Sequence, residues 1–297
     1  MDVAGLGQCC LDTLLLVDAY PPADAKCEYR ERLEQGGGPV ATGLVALRRW
    51  GASCAILGVV GDDDAGSRIR ASLEEEGVDT RGLRVREGGS SQLATIVAEA
   101  GTGRRTVFWK RPSGPPLEPR EVDLDAVRHA RLLYTDGLFA RAALAACRAA
   151  AEVGVPVLVD AGSLREGMLD LVPLSHAYLA SEKFARELTG GDRPLEACRE
   201  LAARGAKVAG VTLGDRGYVA VVGGRVIEGP AVAVDAVDTT GCGDVFHAGF
   251  GHGLLSGWTP ASSLRFAAWA ASRVAARLGG RSGIPDAGEF PEAPEFT

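Results

Sequence analysis

The second half of the chain repeats one unit, a short apolar run followed by a segment with helical spacing. Strands are expected at Leu132–Thr135, Val155–Asp160, Ala177–Ala180, Val208–Leu213 and Tyr218–Val222. Helices are expected at Arg141–Val153, Glu182–Thr189, Leu195–Arg204, Gly243–Ser256 and Ala261–Leu278. Strands that are apolar on both faces have to be covered on both faces, and strands separated by helices run parallel. The alternation therefore points to an α/β fold, a mostly parallel central sheet sandwiched by helices. The first half extends the pattern with buried strands at Val3–Cys9 and Cys54–Gly61, and with helices at Val40–Trp50 and from Asp62 to about Glu76. With 297 residues, 46% of them hydrophobic, the chain can bury one large core, or one core plus a small appendage.

Such an appendage is visible. Thr13–Val17, Lys26–Gln35, Ser91–Glu99 and Arg104–Lys110 read as strands outside the main alternation, the last two joined by the hairpin-type turn Ala100-Gly101-Thr102-Gly103. Residues 1–288 are expected to form one domain, with this small sheet drawn from about 13–35 and 91–110. The Pro/Glu-rich residues 289–297 are expected to be a mobile tail.

Three glycine-bearing turns sit where strands end. In Asp238-Thr239-Thr240-Gly241-Cys242-Gly243-Asp244-Val245-Phe246, an alternating run, Val232 to Val237, leads in and a helical run, Val245 to Leu255, leads out. A strand entering a small-residue turn that opens a helix aims several N–H groups and the positive helix end at one spot, which suits an anion. Asp244 conflicts with that use unless it takes a proton from a hydroxyl attacking a bound phosphate; the alternative is an ordinary turn with Asp244 capping the helix. Gly36-Gly37-Gly38-Pro39 likewise precedes a helix, and Val211-Thr212-Leu213-Gly214-x-x-Gly217 ends a strand in a turn, where open α/β sheets bind ligands. Asp12 follows the first strand, as a turn residue or a ligand contact. The run Asp62-Asp63-Asp64 reads as a helix start sooner than as a metal site.

Several classes are excluded. A net charge of −7 argues against nucleic acid as the main partner. The seven cysteines form no CxxC pair, which points to free thiols in a reducing cytosol, and neither a signal segment nor a membrane span is visible. A dinucleotide-binding turn at Gly5-Leu6-Gly7 lacks its third glycine, because Cys10 stands there. There is no GxxxxGK[ST], and no HRD or DFG set. His247 and His252 read as packing or surface residues.

The string from Asp238 to Phe246 resembles the C-terminal signature of the ribokinase-type carbohydrate kinases, the PfkB family, with Cys242 where Ala is more common. Gly36-Gly37-Gly38 resembles that family's N-terminal signature, with Thr42 in place of an Asn, and the resemblance extends over essentially the whole chain. It implies a ribokinase-like fold whose small sheet is a lid over the sugar and a contact in a homodimer. It implies a cytoplasmic enzyme that uses ATP and Mg2+, with K+ as a further ion, to phosphorylate a hydroxymethyl group of a small sugar. Asp244 would be the base, and the N–H groups of Gly241, Cys242 and Gly243 the anion hole. Asp12, Gly37, Gly38, Thr42, Lys26, Gln92 and Lys110 would contact the sugar, and Thr212, Gly214, Gly217 and Thr240 the ATP. Glu182 stands where the family has Asn-x-x-Glu near magnesium, although the Asn and the second Glu are missing here. Asp238 and the loop Gly279–Pro285 would form a monovalent-cation site. Within the family, Lys26, Gly36–Pro39, Thr42, Ser181-Glu182 and Gly283–Asp286 look most like the sulfofructose kinase branch, but Leu138 stands where its arginine is expected. The alternatives are a nucleoside kinase of the same fold and a non-catalytic sugar or nucleotide sensor.

Overall fold

The computed structural model describes residues 1–290. Thirteen strands and eight α-helices are found among the described residues. In chain order they are β1 (Val3–Leu6), β2 (Cys10–Val17), β3 (Tyr29–Gly37), α1 (Pro39–Arg49), β4 (Cys54–Gly61), α2 (Asp64–Glu75), β5 (Leu83–Arg86), β6 (Leu93–Glu99), β7 (Arg105–Lys110), α3 (Leu124–Arg128), β8 (Leu132–Thr135), α4 (Ala140–Val153), β9 (Val157–Ala161), β10 (Ala177–Ser181), α5 (Glu182–Thr189), α6 (Pro194–Ala203), β11 (Val208–Thr212), β12 (Tyr218–Val222), β13 (Arg225–Gly229), α7 (Cys242–Leu255) and α8 (Pro260–Ala275).

Nine strands form the main sheet in the order β13-β12-β11-β10-β9-β8-β1-β4-β5, parallel except for β12, which runs against its neighbours β11 and β13. Both faces are buried, as the apolar strands require. Leu132, Tyr134, Leu158 and Leu179 point into a core with α1, α7 and α8, while Leu133, Val157, Val159 and Ala180 point into one with α4, α5 and α6. From β1 the chain builds outward in two directions, to β4 on one side and to β8 on the other. Such a reversal opens a crevice beyond the carboxyl ends of the strands.

The second sheet is the lid, four strands in the order β3-β2-β6-β7. Its own small core is Leu14, Ala94, Ile96, Ala98 and Leu278. The hairpin expected at Ala100–Gly103 joins β6 to β7.

Two expectations differ from the structure. Val232–Val237 is not a strand: Val232 and Val234 face solvent, and the segment lies outside both sheets. The sheet ends instead at β13, which Gly223 and Gly224, with φ of 54° and 80°, turn straight back along β12. Of the expected tail, residues 291–297 lie outside the described residues. Glu289 closes a 3-10 turn, Ala287–Glu289, and the Phe290 ring packs on Trp50, His252, Phe266 and Trp269.

Candidate active site

Gly241 is the N-cap of α7, in the left-handed region at φ 76°, and a Cβ there would stand 2.4 Å from Gly280 Cα. Two backbones thus touch at Gly241, which only glycine permits. Gly243 is different. A Cβ there would meet nothing within 4 Å, so its amide borders open space at the first turn of α7, where N–H groups have no intrahelical partner. The turn is braced from behind by Asp238, which is fully buried. Its Oδ1 accepts from Thr240 N (2.9 Å) and Thr240 Oγ1 (2.7 Å), and its Oδ2 accepts from Gly279 N (2.9 Å). Both carboxylate oxygens are thus tied to the turn, and the Thr240 hydroxyl is directed at Asp238.

Asp244 lies in the first turn of α7. Burial, then the negative charge of Asp160, push it far above the ordinary carboxylate range, while His247 and Arg105 hold it down in part. Asp12 also acts on it, so the base candidate and the Asp12 carboxylate share one neighbourhood.

At the lid end of the crevice, Asp12 is buried on β2 and accepts from the Cys10 thiol at 2.9 Å. Its carboxylate fills the space next to Gly37, where a Cβ would fall 1.9 Å from Asp12 Oδ2. Gly38, at φ 98°, is the N-cap of α1, and a Cβ there would meet Gln8 O at 2.5 Å. Burial raises the proton affinity of Asp12, and the Cys10 hydrogen bond and Arg281 oppose it. Gln92 is buried at the foot of the lid, its carbonyl accepting from Leu11 N, and its Oε1 has no partner. A buried acceptor left empty is what an absent hydroxyl donor would fill. Thr42 is buried on α1, Lys110 is exposed at the end of β7 opposite Leu93, and Lys26 is exposed in the loop before β3.

On the other side, Thr212 ends β11, Gly214 has φ 62° with open space where its Cβ would be, and Gly217 has φ 88° with its missing Cβ against Gly229 O. From β1 to β11 the sheet runs through β8, β9 and β10, four strand steps or about 19 Å. One long ligand, or two placed end to end, could span the crevice from Asp12 to Gly214 past the mouth of α7. Glu182 does not point there as a free carboxylate: Arg186 and Arg216 both donate to its Oε1 at 2.5 Å.

A profile described as pfkB family carbohydrate kinase matches residues 2–287. The chain belongs to the pfkB family of carbohydrate kinases. It is a phosphotransferase acting on a sugar hydroxyl. The chain is 31% identical over 278 residues to an ATP-dependent ribose-1-phosphate kinase of Halopiger xanaduensis, covering 91% of this chain and 90% of that one. It is 30% identical over 247 residues to a fructokinase of Solanum tuberosum, covering 78% and 76%. The fold is that of the Arabidopsis thaliana ribokinase solved with ribose and ATP, with a TM-score of 0.82 at 22% identity over 98% of this chain and 99% of that one.

For a pfkB kinase, the site holds residues that the motifs do not announce. Asp160, at the end of β9, faces Asp244 and contacts His247. A carboxylate at the C-terminal end of a parallel strand was the available signal. Arg105, on the lid, donates to Thr239 Oγ1 at 2.6 Å, and Thr239 Oγ1 donates in turn to Gly103 O, so the lid hairpin touches the catalytic turn. Arg281 is buried under Gly36, where a Cβ would come within 2.6 Å of its guanidinium. No sequence pattern marks either arginine. Asp63, by contrast, caps α2 and accepts from Gly66 N, Ser91 N and Ser91 Oγ, as a helix-start residue should.

Proposed function

We propose that this pfkB kinase transfers the γ-phosphoryl group of ATP to a hydroxymethyl group of a small sugar or sugar derivative. The observation that carries this reading is the pairing of a desolvated Asp244 with the open amide turn at Gly243. Asp12, Gly37 and Gly38 hold the sugar, with Gln92 Oε1 accepting one hydroxyl and Thr42, Lys110 and Lys26 around the rim. The turn at Thr212, Gly214 and Gly217 seats the nucleotide, with Thr240 behind the phosphates. Asp244 takes the proton as the sugar oxygen attacks, and the N–H groups of Gly241, Cys242 and Gly243 hold the charge growing on the transferred group. The lid excludes water so that ATP is not hydrolysed instead.

Magnesium fits this site as a companion of the ATP phosphates, since it keeps several waters and needs few protein ligands. Among the described residues no group of three His, Cys, Asp or Glu could hold a metal. Glu182, engaged by two arginines, would reach such an ion only through water. For K+, the carbonyls of Gly279–Pro285 and of Asp238 would be the ligands.

The relatives' names suggest ribose 1-phosphate, fructose and ribose as first substrates to try. Sugar acids, sulfofructose and nucleosides complete the panel; the sulfofructose arm is disfavoured because Leu138 supplies no charge. ADP release measured across this panel with ATP and Mg2+, with and without K+, tests the reading: one strong acceptor supports it, while silence with ATP still bound favours a sensor. We also assign the homodimer contact to the outer face of the lid, where Leu93 and Phe108 are exposed on the side opposite to the Ala94–Ile96 core. Light scattering should show a dimer that Phe108→Asp splits. The cytosol, where ATP is supplied, is the proposed compartment.

A further inference from the structure

Beneath Asp244 lies a pair of groups that the reaction outlined above leaves without a task. Asp160 is the penultimate residue of β9 and His247 stands one turn along α7 from Gly243, and both are almost fully buried. The His247 ring is enclosed by acceptors. Its Nδ1 is 2.5 Å from the carbonyl oxygen of Gly243 and 3.3 Å from Asp160 Oδ2, and its Nε2 is 3.0 Å from the carbonyl oxygen of Leu179 on β10. A carbonyl oxygen can only accept. A neutral imidazole has one N–H and one bare nitrogen, so either tautomer would press a ring lone pair against a carbonyl oxygen. A ring with both nitrogens protonated satisfies both contacts, and Asp160 then supplies the countercharge a buried cation needs. The Tyr134 hydroxyl donates to the same Oδ2 at 3.3 Å.

We propose that His247 is a buried imidazolium paired with Asp160, and that the pair is a positioning device for the phosphoryl-transfer turn. One ring N–H holds the carbonyl of Gly243, the residue before Asp244; the other holds β10 at Leu179. The amide cup and the base are thereby fixed to the sheet rather than left at the end of a free helix. The pair also tunes the base. Asp160 from β9 and Asp12 from β2 favour a proton on Asp244, whereas His247 on the same helix and Arg105 from β7 oppose it. Tyr134 from β8 and Cys242 in the turn, both raised by burial, face Asp244 as neutral groups. A neutral His247 would leave two carboxylates confronting each other with one fewer positive charge between them.

The inference about tuning rests on Asp244 as the base, so one test must not need turnover. The chain has only four histidines. In 15N-histidine-labelled protein at pH 7.5, long-range 1H–15N spectra, assigned by comparison with His247→Asn, should show both His247 ring nitrogens protonated. A neutral ring there overturns the proposal whatever the enzyme's substrate. The second test is the pH dependence of kcat/KM. His247→Asn should move the acid limb to higher pH and Asp160→Asn to lower pH. One unit of movement is a tenfold change below the limb, so His247→Asn should lose about ten times more activity at pH 6 than at pH 9. Losses that are equal at every pH would reduce the pair to ordinary packing and overturn the tuning role. If His247→Asn fails to fold, the His247 signals are assigned by elimination with His129→Gln, His176→Gln and His252→Gln, and the spectrum of the unaltered protein then decides.

Discussion

Gly241 and Gly243 stand two residues apart in one motif, yet adding a methyl group to each should have opposite effects. At Gly241 an alanine must adopt φ 76°, and its Cβ must displace Gly280, whose Cα lies 2.4 Å away. The left-handed conformation costs about 1–2 kcal/mol. Forcing an extra carbon into packed backbone costs about 1–3 kcal/mol. Gly241→Ala should therefore lose about 2–5 kcal/mol of stability. Near this size of protein that lowers Tm by roughly 4–15 °C. At Gly243 the same methyl meets nothing, and φ is not in the left-handed region. There alanine should stabilise the first turn of α7 by up to about 1 kcal/mol, since glycine is the poorer helix former. The methyl would, however, stand where the transferred phosphoryl group is placed. Gly243→Ala should fold as well as or better than the parent and lose most of its turnover. The assay is a thermal melt beside ADP release, with the parent and both variants side by side. A Gly243→Ala protein that melts higher and still turns over normally would refute the placement of the phosphoryl group. A Gly241→Ala protein with an unchanged melt would refute the packing argument.

Three further outcomes follow from the same geometry. Gly37→Ala puts a Cβ 1.9 Å from Asp12 Oδ2, so initial-rate kinetics should show a raised KM for the sugar and an unchanged KM for ATP; a change in the ATP term alone would contradict the division of the crevice. Asp244→Asn should lower turnover by about a hundredfold or more while ATP still raises Tm; near-normal rates would remove the base. The pH dependence of stability has a fixed sign. Asp244 is raised from 3.8 to about 7 in the folded chain, so its contribution is fully present below the unfolded value and is lost as pH rises through the folded one. The Tm of Asp244→Asn minus that of the parent should therefore grow from about pH 4 to about pH 7 and then level off; a flat difference would mean that the folded structure does not hold the carboxyl out of water.

The parts of this molecule that sequence reveals are those fixed by period and by backbone shape. Apolar runs such as Val208–Thr212 are buried on both faces, so their strand character needs no tertiary information. The run Val232–Val237 shows the limit. Its alternation is as regular as that of a strand, yet it lies outside both sheets with Val232 and Val234 facing solvent, and β13 is left as the edge of the main sheet. Local pattern cannot report whether a partner strand is engaged. The site divides in the same way. Glycines announced the turns, but only the coordinates separate Gly241, which is needed for backbone contact, from Gly243, which borders open space.

Charges were the least legible layer, because what a carboxylate does depends on neighbours far away in the chain. Glu182 matched a family position, yet Arg186 and Arg216 occupy it. Asp160 matched no motif, and it is the strongest charge acting on Asp244 from 84 positions away. This difference has a physical origin. A turn that binds an anion with backbone N–H groups is specified within a few residues, so its sequence must carry the glycines. The proton affinity of a base is a sum over everything that surrounds it, and no short stretch can encode that sum. In this kinase the proposed anion hole is thus specified locally and the proton affinity of the proposed base is not. Substitutions that leave the motif from Asp238 to Phe246 intact can therefore still silence the enzyme at a given pH, and those at His247 and Arg105, which hold the proton affinity of Asp244 down, are where that should be sought first.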